Sequence, residues 1–315
     1  MTAQDYQPSV QSRIFRVLWG RMTARVDDYA SSQKMQAATR RGLDWPILAR
    51  GVKMQRADPG GVSAEWLTPA QAAEGVLLYI HGGAWTLPWN PVHRWLVSHL
   101  ARATGRRALA LDYRLAPQNP FPAALEDCLA AYRWLLVNGN RPQQIVIGGD
   151  SAGGNLTLAT LLALRDSGDP LPAAGVCLSP VTDLAGESGA MSGESPLSEG
   201  DAGLPLEWAQ QQLRMYLGDA DPHQPLISPL YGDLRGLPPL LIQVGGTEYL
   251  RHDVQRFVPR ARAAGVDVTL QVWPAMWHVW QILVPFMPES SEAVAAIAAF
   301  ADAALGGNLA PARDV

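Results

Sequence analysis

The 315-residue sequence predicts an α/β fold: a mostly parallel, eight-stranded sheet flanked by helices and covered by a helical cap. Three observations carry that expectation. From about residue 50 onward, apolar runs of strand length alternate with segments of helix length. The run Val76-Leu77-Leu78-Tyr79-Ile80 is apolar without a break, as expected for a strand covered on both faces. A third signal is the run Ile145-Val146-Ile147, which leads through Gly149-Asp150-Ser151-Ala152-Gly153 into a buried helix pattern over residues 155–164. Strand, G-x-S-x-G turn and helix in that order make a nucleophile elbow.

In chain order, residues 1 to about 48 carry Ile14, Phe15, Val17, Leu18, Trp19 and Met22 on an amphipathic helix with no strand beside it. Residues 51–55 and 62–67 read as a hairpin joined by Asp58-Pro59-Gly60-Gly61, adding antiparallel strands at one edge. After the strand at 76–80 come a helix over 92–103, a strand at 108–112 and a helix over 123–137, then the elbow. Further strands are expected at 175–178, 240–244 and 268–272, with helices over 250–264 and 291–305. Strands separated by helices require right-handed crossovers, which makes the sheet mainly parallel. Residues 183 to 225 interrupt the alternation; they are rich in Gly and Ser and then helical from 206 to 217. The chain thus divides into N-terminal cap helices (1–48), a first α/β part (49–182), a second cap segment (183–225) and a second α/β part (226–315). Both cap segments are expected over the sheet edge where open α/β folds bind ligands.

Composition narrows the function classes. Hydrophobic residues make up 48% and charged residues 17%, which describes a globular chain. Net charge is -4, with 25 basic against 29 acidic residues and no basic run, so neither nucleic acid nor an anionic membrane is an expected partner. The first residues carry no basic and apolar signal segment, and no apolar run is long enough to span a bilayer; a cytoplasmic protein is expected. Cys128 and Cys177 are expected as free buried thiols, since neither lies in a metal-spaced pattern.

A serine hydroxyl is a poor nucleophile at neutral pH and needs a base, an orienting acid and an oxyanion hole. For an elbow the chain order is serine, acid, histidine. His278, in the loop after the last strand, is the expected base. The acid follows the strand at 240–244, where Glu248 and Asp253 both qualify. Glu248 is preferred because it lies in the loop itself, whereas Asp253 falls inside the next helix. The oxyanion donors expected are the N–H groups of Ala152 and of the glycines in His81-Gly82-Gly83-Ala84-Trp85. His81 has no Cys, His or carboxylate cluster to make it a metal ligand, and its ring is expected to hold that loop in shape.

Four segments together resemble the bacterial hormone-sensitive-lipase-like (family IV) esterases of the α/β-hydrolase superfamily. They are His81-Gly82-Gly83; Asp112-Tyr113-Arg114-Leu115-Ala116-Pro117 with Phe121-Pro122-Ala123-Ala124-Leu125-Glu126-Asp127; the elbow with Gly154; and His278-Val279-Trp280. They span roughly residues 75 to 305 in the family's order. The resemblance implies an α/β-hydrolase fold with an N-terminal helical cap, and a serine carboxylesterase. It implies Ser151 as nucleophile, His278 as base, and Gly82, Gly83 and Ala152 as oxyanion donors. It permits a homodimer through the last strand or helix. Two departures stand out: Ala84 replaces a third glycine, and Glu248-Tyr249-Leu250 replaces the family's Asp-Pro-Leu.

The expected reaction is hydrolysis of a small-molecule ester through an acyl-enzyme, with no metal or organic cofactor required. Phe15, Trp19, Trp85, Trp89, Leu204, Trp208, Met215 and Trp280 are the expected pocket walls; so much aromatic bulk favours short- to medium-chain acyl groups. The same triad also serves lactones, amides or carbamates, and a binding protein on a hydrolase scaffold is the alternative outside catalysis.

Overall fold

The computed structural model describes residues 7–23, 47–187 and 205–306. Among them are eight strands: β1 (Val52–Ala57), β2 (Ala64–Pro69), β3 (Val76–Ile80), β4 (Arg107–Leu111), β5 (Ile145–Asp150), β6 (Ala174–Leu178), β7 (Leu240–Gly245) and β8 (Val268–Trp273). Seven α-helices accompany them: α1 (Val10–Thr23), α2 (Pro91–Thr104), α3 (Ala123–Val137), α4 (Ala152–Ser167), α5 (Leu206–Leu217), α6 (Leu250–Ala263) and α7 (Pro288–Leu305). The strands form one sheet in the order β1-β2-β4-β3-β5-β6-β7-β8. β2 runs antiparallel to β1 and β4, and β3 through β8 are mutually parallel.

The period-2 alternation of strand side chains divides the core into two layers. Along β3, Val76, Leu78 and Ile80 face a layer shared with Leu125, Leu156 and Val254 of α3, α4 and α6. Leu77 and Tyr79 face the other layer, with Leu96 and Val97 of α2 and Ile297 of α7. Two covered faces explain why the middle strands read as unbroken apolar runs; every residue of β3, β5 and β6 is buried. Helix α2 is held at its start by Asn90, whose side chain accepts from the Val92 and His93 N–H groups at 2.9 and 3.2 Å. It stops at Gly105, whose φ of 62° favours glycine.

The described helices in the two segments expected as caps are α1 and α5. Ser9 caps α1 by accepting the Ser12 N–H at 3.0 Å. Its own N–H and hydroxyl donate to the two oxygens of Glu289, in the first turn of α7, at 2.7 and 2.9 Å. Helix α5 lies against the loop after β3: Thr86 Oγ1 donates to Gln212 Oε1 at 2.8 Å, and Trp85 stacks on Tyr216 with ring centroids 4.4 Å apart. Cys128 and Cys177 are free and buried. No described helix is long and apolar enough to cross a membrane.

Candidate active site

The elbow is built by close approach. Strand β5 ends at Asp150, and Ser151 turns the chain into α4 with φ 54° and ψ -119°, a left-handed conformation that a non-glycine residue holds only under strain. Ser151 N–H donates to Leu178 O at 2.8 Å, pinning the turn to β6. A Cβ on Gly153 would lie 2.0 Å from Ile80 O, and one on Gly149 would lie 2.4 Å from the same oxygen. Only glycine at both places lets α4 start this close to β3.

Two other loops converge on Ser151. After β7 the chain turns through Gly246 and Thr247, whose N–H groups donate to Trp273 O at 2.7 Å and Met276 O at 3.0 Å. These bonds tie the Glu248 loop to the one that carries His278 after β8. The result is a continuous hydrogen-bonded chain: His278 Nε2 is 2.9 Å from Ser151 Oγ, and His278 Nδ1 is 2.8 Å from Glu248 Oε2. A carboxylate accepts, so Nδ1 carries the proton and Nε2 is free to accept the serine proton. Glu248 is wholly buried; its Oε1 accepts from the Ser179 hydroxyl at 2.8 Å and from the Gly245 N–H. Asp253, the other acid weighed from the sequence, lies buried in α6, and the oxygen on the imidazole belongs to Glu248.

One expectation requires correction. The Gly82 N–H, expected as an oxyanion donor, donates instead to Asp150 Oδ1 at 3.1 Å. Gly82 therefore anchors the loop, and a Cβ there would lie 2.3 Å from Asp150 Oδ2. The N–H groups of Gly83, Ala84 and Ala152 are taken up by no other described residue. Gly83 and Ala84 have φ of 106° and 50°, so Ala84 stands where the backbone favours glycine.

Beneath this loop lies a buried polar layer. Asp150 Oδ1 also accepts the Tyr79 hydroxyl at 2.7 Å, and His93 Nε2 approaches Asp150 Oδ2 at 3.4 Å. Burial pushes the Asp150 carboxyl up, but the charge and hydrogen bond of His93 and the Tyr79 hydroxyl outweigh it, and the net shift is downward. His81 stacks on Tyr113 and donates Nδ1–H to Gly82 O at 2.6 Å. No group of three or more His, Cys, Asp or Glu suited to a metal occurs among the described residues.

The expected pocket walls divide. Trp85, in the loop after β3, and Trp208, on α5, are buried in one core layer, and Met215 packs partly buried against it. Phe15 packs partly buried against the cluster of Met276, Trp277, Trp280, Met287 and Ala293. Trp89 and Trp280 are buried as well. Trp89 donates Nε1–H to Glu65 Oε2 at 2.8 Å and packs in the layer of α2 and α7, while Trp280 is wholly buried among Met276, Trp277, Met287 and Ala293. Leu204 and the side chain of Trp19 lie outside the described residues. Residues not anticipated from sequence are Ser179, Asp150 as loop anchor, Gln212 and Tyr216. Ser179 had one available signal: it directly follows β6, at the carboxyl end of a parallel strand where ligand sites gather.

Comparison with known proteins gives the family. A family model described as alpha/beta hydrolase fold matches residues 77–282. An acetyl-hydrolase of Streptomyces hygroscopicus is 46% identical over 252 residues, covering 79% of this chain and 83% of that protein. The crystal structure of an esterase from the bacterial hormone-sensitive lipase family superposes with a TM-score of 0.85 at 42% identity, covering 96% of this chain and 100% of the other. The esterase EstE5, in crystals soaked with p-nitrophenyl butyrate, superposes with a TM-score of 0.87 at 34% identity, covering 95% and 99%. With the elbow, the loop order and these likenesses in agreement, the chain belongs to the α/β-hydrolase fold family, within its hormone-sensitive-lipase-like carboxylesterases.

Proposed function

We propose that this carboxylic ester hydrolase works through an acyl-enzyme on Ser151 and takes short- to medium-chain acyl groups. The observation that carries the reading is the unbroken relay from Ser151 Oγ through His278 to Glu248. As Ser151 Oγ attacks the ester carbonyl, His278 Nε2 takes its proton. Glu248 keeps the imidazole in the Nδ1–H tautomer and stabilises the imidazolium that forms. The carbonyl oxygen gains negative charge and is received by the uncommitted N–H groups of Gly83, Ala84 and Ala152. Ala152 is also the first residue of α4, so the helix dipole favours the same charge. His278 then returns the proton to the leaving alcohol, and a water activated by the same nitrogen releases the acid.

The acyl-length reading rests on the aromatic bulk of the expected walls, among them Trp85, Trp208 and Met215, which pack in one core layer, and Phe15, which packs on the cluster that holds Trp277 and Trp280. The likeness to an acetyl-hydrolase and to an esterase soaked with a butyrate ester supports it. A panel of p-nitrophenyl esters tests both parts. Acetate to hexanoate esters should be turned over with kcat/KM falling for longer chains, and Ser151→Ala or His278→Ala should lose about 10⁴-fold in kcat. Rising kcat/KM out to palmitate would overturn the pocket reading, and a Ser151→Ala enzyme of near-normal turnover would overturn the mechanism.

A further inference from the structure

We infer that Ser179 is a positioning residue of the catalytic relay, acting through one hydroxyl on both the acid and the histidine loop; the inference rests on the Ser151–His278–Glu248 reading. Ser179 follows β6 and is wholly buried. Its Oγ donates to Glu248 Oε1 at 2.8 Å and accepts the N–H of Val279, the residue after His278, at 3.3 Å. One hydroxyl offers one hydrogen and two lone pairs, so both bonds are compatible. The group thereby joins the loop after β7 to the loop after β8, one residue from the base.

The backbone around this bond is strained on both sides. Ser179 has φ 47° and Val279 has φ 52°. Left-handed backbone is unfavourable for a serine and more so for β-branched valine, and such residues persist where their surroundings over-determine them. The Ser179 N–H donates to Gln243 O of β7 at 2.7 Å, which fixes its backbone from the other side. A glycine would take this φ freely; what a glycine lacks is the hydroxyl. Serine at this place therefore keeps a strained backbone and supplies the one side-chain donor to Glu248 Oε1, beside the Gly245 N–H.

The carboxylate needs that order because its two oxygens have different tasks. Oε2 faces His278 Nδ1, while Oε1 is held by Ser179 and the Gly245 N–H. Without the hydroxyl, Oε1 keeps the Gly245 N–H alone and the carboxylate can rotate about its last bond. Glutamate has one more rotatable bond than aspartate, so a second anchor matters more for this acid.

Steady-state kinetics on p-nitrophenyl butyrate with Ser179→Ala, Ser179→Gly, Glu248→Gln and the double variant Ser179→Ala/Glu248→Gln tests this. Both single Ser179 variants should lose roughly ten- to one-hundredfold in kcat, the range for a hydrogen bond to a charged group, with KM within about threefold. Ser179→Gly should melt at or above Ser179→Ala, since it relieves the left-handed backbone, yet be no more active. In the Glu248→Gln background the Ser179→Ala change should cost clearly less in kcat than in the wild type, because the part of its effect that passes through the carboxylate is already lost and only the bond to the Val279 N–H remains to be removed. Wild-type kcat in Ser179→Gly, or a Ser179→Ala loss as large in the Glu248→Gln background as in the wild type, overturns the inference and leaves the triad standing. Near-normal kcat in Glu248→Gln alone overturns the assignment of the acid, and with it this inference. If Ser179→Ala fails to fold, Ser179→Gly in both backgrounds supplies the same comparison.

Discussion

His81 lies under the loop that carries Gly83 and Ala84, buried, its ring stacked on Tyr113 and its Nδ1–H bound to Gly82 O at 2.6 Å. Burial, and then the neighbouring His93, lower its pKa from 6.5 to about 3, against smaller upward effects of the Gly82 bond and Asp150. The folded protein thus holds the ring neutral over a range in which the unfolded chain, titrating near 6.5, takes up a proton. A group whose folded pKa is depressed contributes stability that is complete above the unfolded pKa and is lost as pH falls toward the folded one. For His81 that window runs from 6.5 down to about 3. Each pH unit inside it removes about 1.4 kcal/mol, so roughly 2–3 kcal/mol should be gone by about pH 4.5. The assay is urea unfolding followed by tryptophan fluorescence at about pH 7, 5.5 and 4.5, on the wild type and on His81→Asn. Asparagine keeps an amide donor for Gly82 O but does not titrate, and groups that do not interact with His81 cancel in the difference between the two proteins. The wild-type curve should fall more steeply by the stated amount. Parallel curves, or an NMR titration of the His81 ring near 6.5 in the folded protein, would refute the reasoning.

Two further predictions concern parts that hold the site without touching the ester. Gly82→Ala would set a Cβ 2.3 Å from Asp150 Oδ2 and displace the loop anchor; kcat should fall more than tenfold with KM little changed, as measured on p-nitrophenyl acetate. Glu289→Ala removes the acceptor of both Ser9 bonds and loosens α1, which carries Phe15 on the cluster that holds Trp277 and Trp280; KM should rise severalfold with kcat within about twofold, alongside a lower thermal midpoint. Unchanged KM in Glu289→Ala would mean that α1 takes no part in the pocket.

How much of this was legible in the sequence depended on how local the cause was. Ser151, Glu248 and His278 could be named because each sits next to its own strand, and parallel strands deliver their carboxyl ends to one edge whatever else the chain does. The glycines of the elbow were legible for the same reason. What escaped notice depends on pairing across the sheet. Gly82 donates to Asp150 because β3 and β5 are neighbours with Ile80 opposite Gly149, a register that no motif states. Trp89, expected in the pocket, donates to Glu65, which also forms a bidentate pair with Arg94 at 2.7 Å on each oxygen, a partner no motif names. Trp280, another expected wall, opens a short 3-10 turn over Trp280–Leu283 and is wholly buried, a placement its neighbours in the sequence do not state. Ser179 was missed because its partners lie 69 and 100 residues away.

Trapping the nucleophile tests the account most directly. The protein would be treated with diethyl p-nitrophenyl phosphate, and intact and peptide masses read alongside residual esterase activity. One diethylphosphoryl group should appear per chain, on the peptide carrying Ser151, with activity falling in step and no adduct on Ser151→Ala. An adduct on any other residue, or full turnover in a protein labelled at Ser151, would contradict the account.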